Sequence, residues 1–227
     1  MSAAGGTITA LAGTVVLRLT VTGTYTRYVR PGMGLWLAIA VVLLVLLGAT
    51  TLVGALRRAR PVDAHDHGGH PPVGWLLLAP IATLLLVAPP TLGSYGVDRG
   101  AAVDVRAGTS VFAPLSRGDG PVPMSLLEFG QRAFDRDGAS FAGAAVQLTG
   151  LVAGGEEDGF RLARYQIACC AADAAPVVVR VVGINGDPPR RDSWVTVTGS
   201  FDPGDGEVPE LAAASVVEVP EPDDPYE

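Results

Sequence analysis

The chain of 227 residues is 48% apolar and 17% charged, and its formal net charge is −7. An intrinsically disordered chain is poorer in apolar residues and richer in charge, so the composition excludes that class. The negative charge also argues against a strongly basic nucleic-acid binder.

The charge is unevenly divided along the chain. Residues 1–92 contain six Arg and two Asp, a net charge of +4, whereas residues 93–227 contain ten Arg and 21 acidic residues, a net charge of −11. The chain has no Lys, so every basic side chain is an Arg. A basic, apolar first part and an acidic second part predict that the two parts face different solvents.

The first apolar segment covers residues 7–25 and contains one charge, Arg18. A charged residue within a membrane segment usually faces a partner helix or a polar cavity. Two structures therefore fit: a membrane span with Arg18 facing a partner, and an amphipathic segment that lies on the membrane surface. The span is the preferred interpretation. A cleaved signal peptide fits poorly, because no positive charge precedes the segment.

Two longer apolar runs follow. Residues 33–56 contain no charged side chain, and at about 1.5 Å per residue they can cross a hydrocarbon core of about 30 Å. Residues 73–92 are also uncharged and begin near Trp75, a residue typical of membrane interfaces. A buried hairpin helix is the alternative for this run. The sequence thus predicts membrane α-helices, with two strong spans and one weaker span.

The loop at residues 57–72 carries the charges that predict the orientation. Positive charge near membrane ends favours the cytoplasmic side, and three arginines directly follow the second span: Arg57, Arg58 and Arg60. A cytoplasmic loop makes the third span exit outward, so residues 93–227 would be extracytoplasmic in a multi-pass protein of the plasma membrane. Arg27 and Arg30, in the preceding loop, favour the opposite orientation.

The same loop contains every histidine of the chain, and together with a neighbouring acid they form one candidate metal site: His65, Asp66, His67 and His70. Imidazole is the commonest metal ligand, and a carboxylate can add an oxygen. A flexible loop can bring these groups to one ion. The pattern predicts a weak, exchangeable site for a divalent metal such as zinc, and a polar loop that merely contains His is the alternative.

The acidic part predicts a small β domain. Residues 93–123 are rich in Gly, Pro and Ala and suggest a tether, and residues 124–137 have helical spacing with Ser125 as N-cap and Glu128 in a capping box. Five β-rich runs follow, at residues 144–153, 160–168, 177–182, 194–201 and 215–219. A short helix followed by these strands predicts an OB-like barrel over residues 124–227, with a short β-sandwich as the alternative. The charge of −11 argues against the nucleic acids that OB folds often bind.

The only two cysteines, Cys169 and Cys170, are adjacent, and Asp173 follows them. Neighbouring residues of a strand point to opposite faces, so the two thiols can chelate a metal only if they lie in a turn. Packing cysteines and a metal or redox site both remain open. Residues 93–227 contain no His, which removes a Cys–His catalytic pair. Phosphate-loop, serine-elbow and dinucleotide motifs are also lacking, so an enzyme is not expected.

Several motifs occur in an order that resembles a known family. Residues 28–31 (Tyr-Val-Arg-Pro) join the first two apolar segments, and the His and Asp loop follows the second. A Cys-x-Ala-Asp element spans Cys170 to Asp173, and Asp-Asp-Pro-Tyr stands at residues 223–226. Over nearly the whole chain the sequence resembles the YcgQ-like family of uncharacterised bacterial membrane proteins, described as candidate permease subunits.

The resemblance implies a non-enzymatic accessory subunit that docks on a multi-spanning permease in the lipid bilayer, with Arg18 facing that partner. Members of the family are usually encoded beside such a permease, and Cys170 is the family cysteine, so Cys169 is an additional residue. The alternative is a membrane-anchored protein that sequesters or delivers a divalent metal through the histidine loop, Cys170 and Asp173. This sequence differs from the family pattern, because its histidine loop is short and contains no Cys. The difference argues against a role in metal delivery.

Overall fold

The computed structural model forms two compact units, Met1–Pro90 and Thr91–Glu227. The structure describes residues 3–57, 79, 83, 90–107, 111–116, 118, 120–184, 186–204 and 206–227. Several residues singled out from the sequence lie outside these ranges: Arg58, Arg60, His65, Asp66, His67 and His70. Most of the predicted span at residues 73–92 also lies outside them.

The first unit contains a pair of packed helices. Helix α1 runs Ala3–Val21 and helix α2 runs Gly34–Arg57, and two 3-10 turns join them, Thr24–Arg27 and Pro31–Met33. Gly13 lies where the helices approach closely, because a Cβ at that position would be 3.1 Å from Val45 Cγ2. Small residues allow this kind of close helix packing.

One helix in the described part of the chain is long and apolar enough to cross a membrane, judged by length and composition: the 24 residues Pro31–Gly54. The apolar helical stretch of α1, Leu11–Val21, is shorter. At about 1.5 Å per residue its 11 residues extend about 16 Å, roughly half of a hydrocarbon core. The described residues therefore support one span where the sequence predicted two strong ones.

The second unit is a closed β-barrel. Its strands are β1 Val122–Pro123, β2 Val146–Glu156, β3 Gly159–Gln166, β4 Ala175–Val182, β5 Trp194–Asp202 and β6 Glu210–Val219. The sheet order is β1-β2-β3-β4-β6-β5, and β2 also pairs with β5, which closes strands β2 to β6 into a ring of five. The closing pairs are antiparallel except β4 with β6, which is parallel. The predicted five-stranded barrel is confirmed, and the sandwich alternative is wrong.

Alternating apolar side chains fill the barrel, as the strand period of two requires. Fully buried examples from four strands are Leu148, Leu162, Val179 and Val197. Helix α3, Leu126–Phe134, packs Leu126, Phe129 and Ala133 into the same cluster. Their spacing of three and four residues places them on one helix face.

The start of α3 confirms Ser125 as its N-cap. Ser125 Oγ accepts a hydrogen bond from Glu128 N at 3.0 Å. The Glu128 side chain accepts from Arg132 Nε at 2.8 Å instead of returning to the cap. The helix is shorter than predicted, because Arg136, Asp137 and Gly138 adopt positive φ angles.

Residues 91–107, most of which the composition assigned to a tether, lie against the barrel. Val103 and Val105 pack on its core. Several hydrogen bonds link the segment to barrel residues. Among them, Tyr165 Oη donates to Gly93 O at 2.8 Å, Ser94 N donates to Asp192 Oδ1 at 2.7 Å, and Val103 N donates to Pro176 O at 3.0 Å. This segment is therefore part of the folded second unit.

Candidate thiol and metal site

The two cysteines lie in the connection between β3 and β4. Strand β3 ends at Gln166, and a 3-10 turn, Ala171–Asp173, precedes β4. Because the chain has left the strand before Cys169, the opposite-face rule for strands no longer separates the two thiols. The turn that chelation requires is present.

The Asp173 carboxylate closes this turn. Its Oδ1 accepts from Ala168 N at 3.0 Å, and its Oδ2 accepts from Cys169 N at 2.9 Å and from Cys170 N at 3.4 Å. In return, Asp173 N donates to Cys170 O at 3.0 Å. An acidic side chain that reaches back over three residues in this way is the geometry of a capping box.

The sulfur atoms and the carboxylate form one cluster. Cys169 Sγ donates to Asp173 Oδ2 at 2.8 Å and lies 3.7 Å from Cys170 Sγ. One ligand atom from each of the three residues lies within 4.8 Å of the others. Both thiols are free, Cys169 and Asp173 are exposed, and Cys170 is half-buried. The cluster is therefore open to solvent.

Hydrogen bonding sets the protonation states of the cluster. The hydrogen bond to Asp173, supported by Cys170, raises the pKa of the Cys169 thiol to about 11. The same hydrogen bond and the backbone N–H groups lower the pKa of Asp173 below its usual value. At neutral pH the carboxylate is ionised and the Cys169 thiol is protonated, so this thiol is a poor nucleophile.

Cys169 is the member of the cluster that the sequence reasoning missed. The Cys-x-Ala-Asp motif selected Cys170, yet the sulfur that contacts Asp173 belongs to Cys169. The signal was present as a spacing of four residues between Cys169 and Asp173, which a tight turn brings together. Arg18, the predicted partner-facing charge, lies in the last turn of α1 with an exposed side chain, and Arg57 ends α2.

A groove of about 320 Å³ lies at the other end of β4, between the β4–β5 connection and β6. Among the described residues that line it, the charged ones are Asp187 and Glu218. The described charge of this groove is therefore acidic.

Comparison with family models gives a match within the second unit. Residues 132–227 match the DUF1980 C-terminal domain. The match begins within α3 and includes the five barrel strands, the cysteine turn and the residues that follow β6. It concerns an uncharacterised domain, and it carries neither the YcgQ-like name nor a permease role. A search of curated proteins found no match to the chain.

Proposed function

We propose that the protein is a non-enzymatic accessory subunit of a membrane permease complex. The observation that carries the proposal is helix α2, whose apolar side chains are exposed outside its contact with α1, among them Trp36, Leu43 and Leu46. Such a surface is unfavourable in water and suits lipid or a membrane partner. In this proposal the OB-like barrel, which matches the DUF1980 C-terminal domain, gates the complex or presents a small solute to it.

The proposed topology is multi-pass in the cytoplasmic membrane. Spans at residues 7–25, 33–56 and 73–92 anchor the chain, and the three arginines after the second span place residues 57–72 in the cytoplasm. The acidic barrel is then extracytoplasmic. A reporter fused after Glu227 that is active only in the cytoplasm would contradict this orientation.

The chemistry of the barrel supports a binding role without catalysis. No histidine occurs after residue 92 to activate a thiol, and the raised pKa of Cys169 leaves little thiolate at neutral pH. The net charge of −11 on residues 93–227 repels nucleic-acid phosphates. These three features favour an accessory subunit over an enzyme or a nucleic-acid binder.

The association with a permease is tested by co-purification. The tagged full chain, extracted from membranes in mild detergent, is expected to retain the multi-spanning protein encoded beside it. Arg18→Gln is expected to reduce that recovery, because Arg18 is proposed to face the partner. Arg27→Gln, in the turn between α1 and α2, is the matched control. This variant is expected to recover the permease as well as the parent chain does. A chain that purifies without the permease contradicts the proposal.

Divalent metal binding is a second proposed function, and the cluster of Cys169, Cys170 and Asp173 favours it. The histidine loop, with His65, Asp66, His67 and His70, is proposed as a separate collection site. Calorimetry of the full chain with Zn²⁺ is expected to detect binding tighter than about 1 mM. Binding weaker than about 1 mM would contradict a metal-binding function at both sites.

A further inference from the structure

The sulfur atoms of the cysteine turn have the spacing that one tetrahedral cation requires. Cys169 Sγ and Cys170 Sγ are 3.7 Å apart. Zinc–thiolate bonds are about 2.3 Å long, so two sulfurs on one tetrahedral ion are about 3.8 Å apart, whereas linear coordination separates them by about 4.6 Å. The turn therefore places both thiols at a tetrahedral spacing without any bound ion.

Asp173 can supply a third ligand and still hold the turn. Its Oδ1 accepts a hydrogen bond from Ala168 N, which keeps the backbone closed. Its Oδ2 faces the Cys169 thiol at 2.8 Å, on the side where the sulfur atoms lie. A cation that replaces the thiol proton at this position removes the repulsion between a thiolate and a carboxylate.

The fourth coordination position has no protein ligand among the described residues of the cluster. The chain contains no other Cys, and the barrel contains no His. Structural zinc sites use four protein ligands, whereas a site with three keeps a position for water or for an incoming ligand. The exposure of Cys169 and Asp173 gives that position access from solvent.

We infer that Cys169, Cys170 and Asp173 bind one thiophilic divalent cation with a filled d shell, such as Zn²⁺, and leave its fourth position open to a ligand from another molecule. The turn is then a site of ion transfer and not a structural site. On binding, each thiol releases its proton to solvent and forms a sulfur–metal bond, without any change in oxidation state. The inference rests on the second proposed function, metal binding.

Co²⁺ is the spectroscopic probe for the donor set. The test uses the reduced full chain in detergent, with His65, His67 and His70 replaced by Asn to remove the loop ligands. We expect a near-ultraviolet sulfur-to-cobalt charge-transfer band, tetrahedral d–d bands, and loss of both when Zn²⁺ is added. Cys169→Ser and Cys170→Ser should each halve the charge-transfer intensity and weaken binding at least tenfold.

Two further variants test whether Asp173 is a metal ligand or whether the loss of any negative charge weakens metal binding. Asp173→Asn should keep the sulfur band but weaken Co²⁺ binding, because it removes the anionic oxygen. Asp187→Asn, at the opposite end of β4, is the matched control and should leave binding unchanged. Absence of the sulfur band, or a band that neither cysteine variant alters, would overturn the inference.

The open fourth coordination position is tested separately, through the intensity of the charge-transfer band. One equivalent of 2-mercaptoethanol added to the cobalt-loaded chain should raise the charge-transfer intensity by about half, because a third thiolate enters. An unchanged spectrum would overturn the transfer role. If the sulfur band is absent but the doubly substituted chain, Cys169→Ser with Cys170→Ser and the histidines intact, binds Zn²⁺, the cysteine site fails and metal binding at the loop survives.

Discussion

Single carboxylates organise two turns of the second unit. Asp173 holds the cysteine turn by accepting hydrogen bonds from backbone N–H groups. Glu227 acts on α3: its Oε1 accepts from Leu126 N at 2.8 Å and its Oε2 accepts from Leu127 N at 3.1 Å. A negative charge at a helix N-terminus is favourable, because the first N–H groups of a helix have no partner within it. The residues after β6 are therefore a structural part of the domain.

Replacing Glu227 by Gln tests this cap. Glutamine has one acceptor oxygen and presents an N–H₂ group to a second N–H donor, so one helix N–H loses its partner. We expect a loss of about 1 kcal/mol in stability, within the range for helix caps. The measurement is the thermal unfolding midpoint of the full chain in detergent, which should fall by a few degrees. Glu221→Gln, an exposed glutamate nearby, is the control, and an equal effect of both changes would contradict the cap.

At the scale of elements, an ion-pair network attaches residues 91–107 to the barrel. Asp98 lies between two arginines, with Oδ1 at 2.8 Å from Arg161 Nη1 and Oδ2 at 3.2 Å from Arg191 Nη2. Arg161 also pairs with Glu156 at 3.7 Å. These contacts join a segment before the barrel to β2, β3 and the β4–β5 connection. The segment and the barrel are expected to loosen together.

The network makes the attachment dependent on pH. Hydrogen bonds from Arg161 and then Arg191 lower the pKa of Asp98 below 3.8. The folded-state pKa is depressed, so the contribution is complete above about pH 3.8 and disappears as the pH falls through the lower folded value. Asp98→Asn should reduce the amide protection factors of residues 94–103 at pH 7, measured by hydrogen exchange with mass spectrometry, and the difference from the parent chain should shrink below pH 3.8.

The matched control for that experiment is Asp104→Asn. Asp104 is on the same segment, is exposed, and accepts a local hydrogen bond from Arg106 N at 3.0 Å. The Asp104→Asn substitution should leave the amide protection factors of residues 94–103 nearly unchanged. A difference at pH 7 that persists unchanged well below the pKa of Asp98 would contradict the ion-pair explanation.

At the scale of the whole molecule, a basic apolar part and an acidic barrel occur in one chain. Helix α2 leaves 61% of Leu43 exposed within the described structure. The contact with α1 does not cover this side chain. If α2 lies in a membrane, lipid or a membrane partner covers it instead. Accessibility of this position in intact membranes therefore tests the anchor independently of solute or metal.

Cysteine labelling measures that accessibility. In a chain with Cys169→Ser and Cys170→Ser, Leu43→Cys should resist a membrane-impermeant maleimide in intact membranes and react after denaturation in detergent. Thr26→Cys, in the 3-10 turn between the helices, should react in open membrane sheets and shows that the reagent is active. Equal labelling of the two positions in membrane sheets would contradict a membrane anchor.

Local sequence patterns were sufficient to predict strands β2 to β6 and the start of helix α3 in the second unit. The five β-rich runs appear as β2 to β6, because alternation of apolar residues reports directly which side chains face the core. The sequence predicts Ser125 as the N-cap, because an N-cap depends only on a residue and its neighbour three positions later. The loop residues His65, Asp66, His67 and His70 lie outside the described residues, so the metal site there stays a prediction.

The sequence by itself determined the charge division between the two parts, the apolar run of α2, and the number and order of the barrel strands, since each depends on residues close together in the chain. Only the tertiary structure decided three further features: the parallel β4–β6 pair that helps close the barrel, the attachment of residues 91–107, and the entry of Cys169 into the cysteine turn. The first two depend on partners distant in sequence. The third depends on a backbone turn that directs two adjacent thiols to one side, which the strand period would have forbidden.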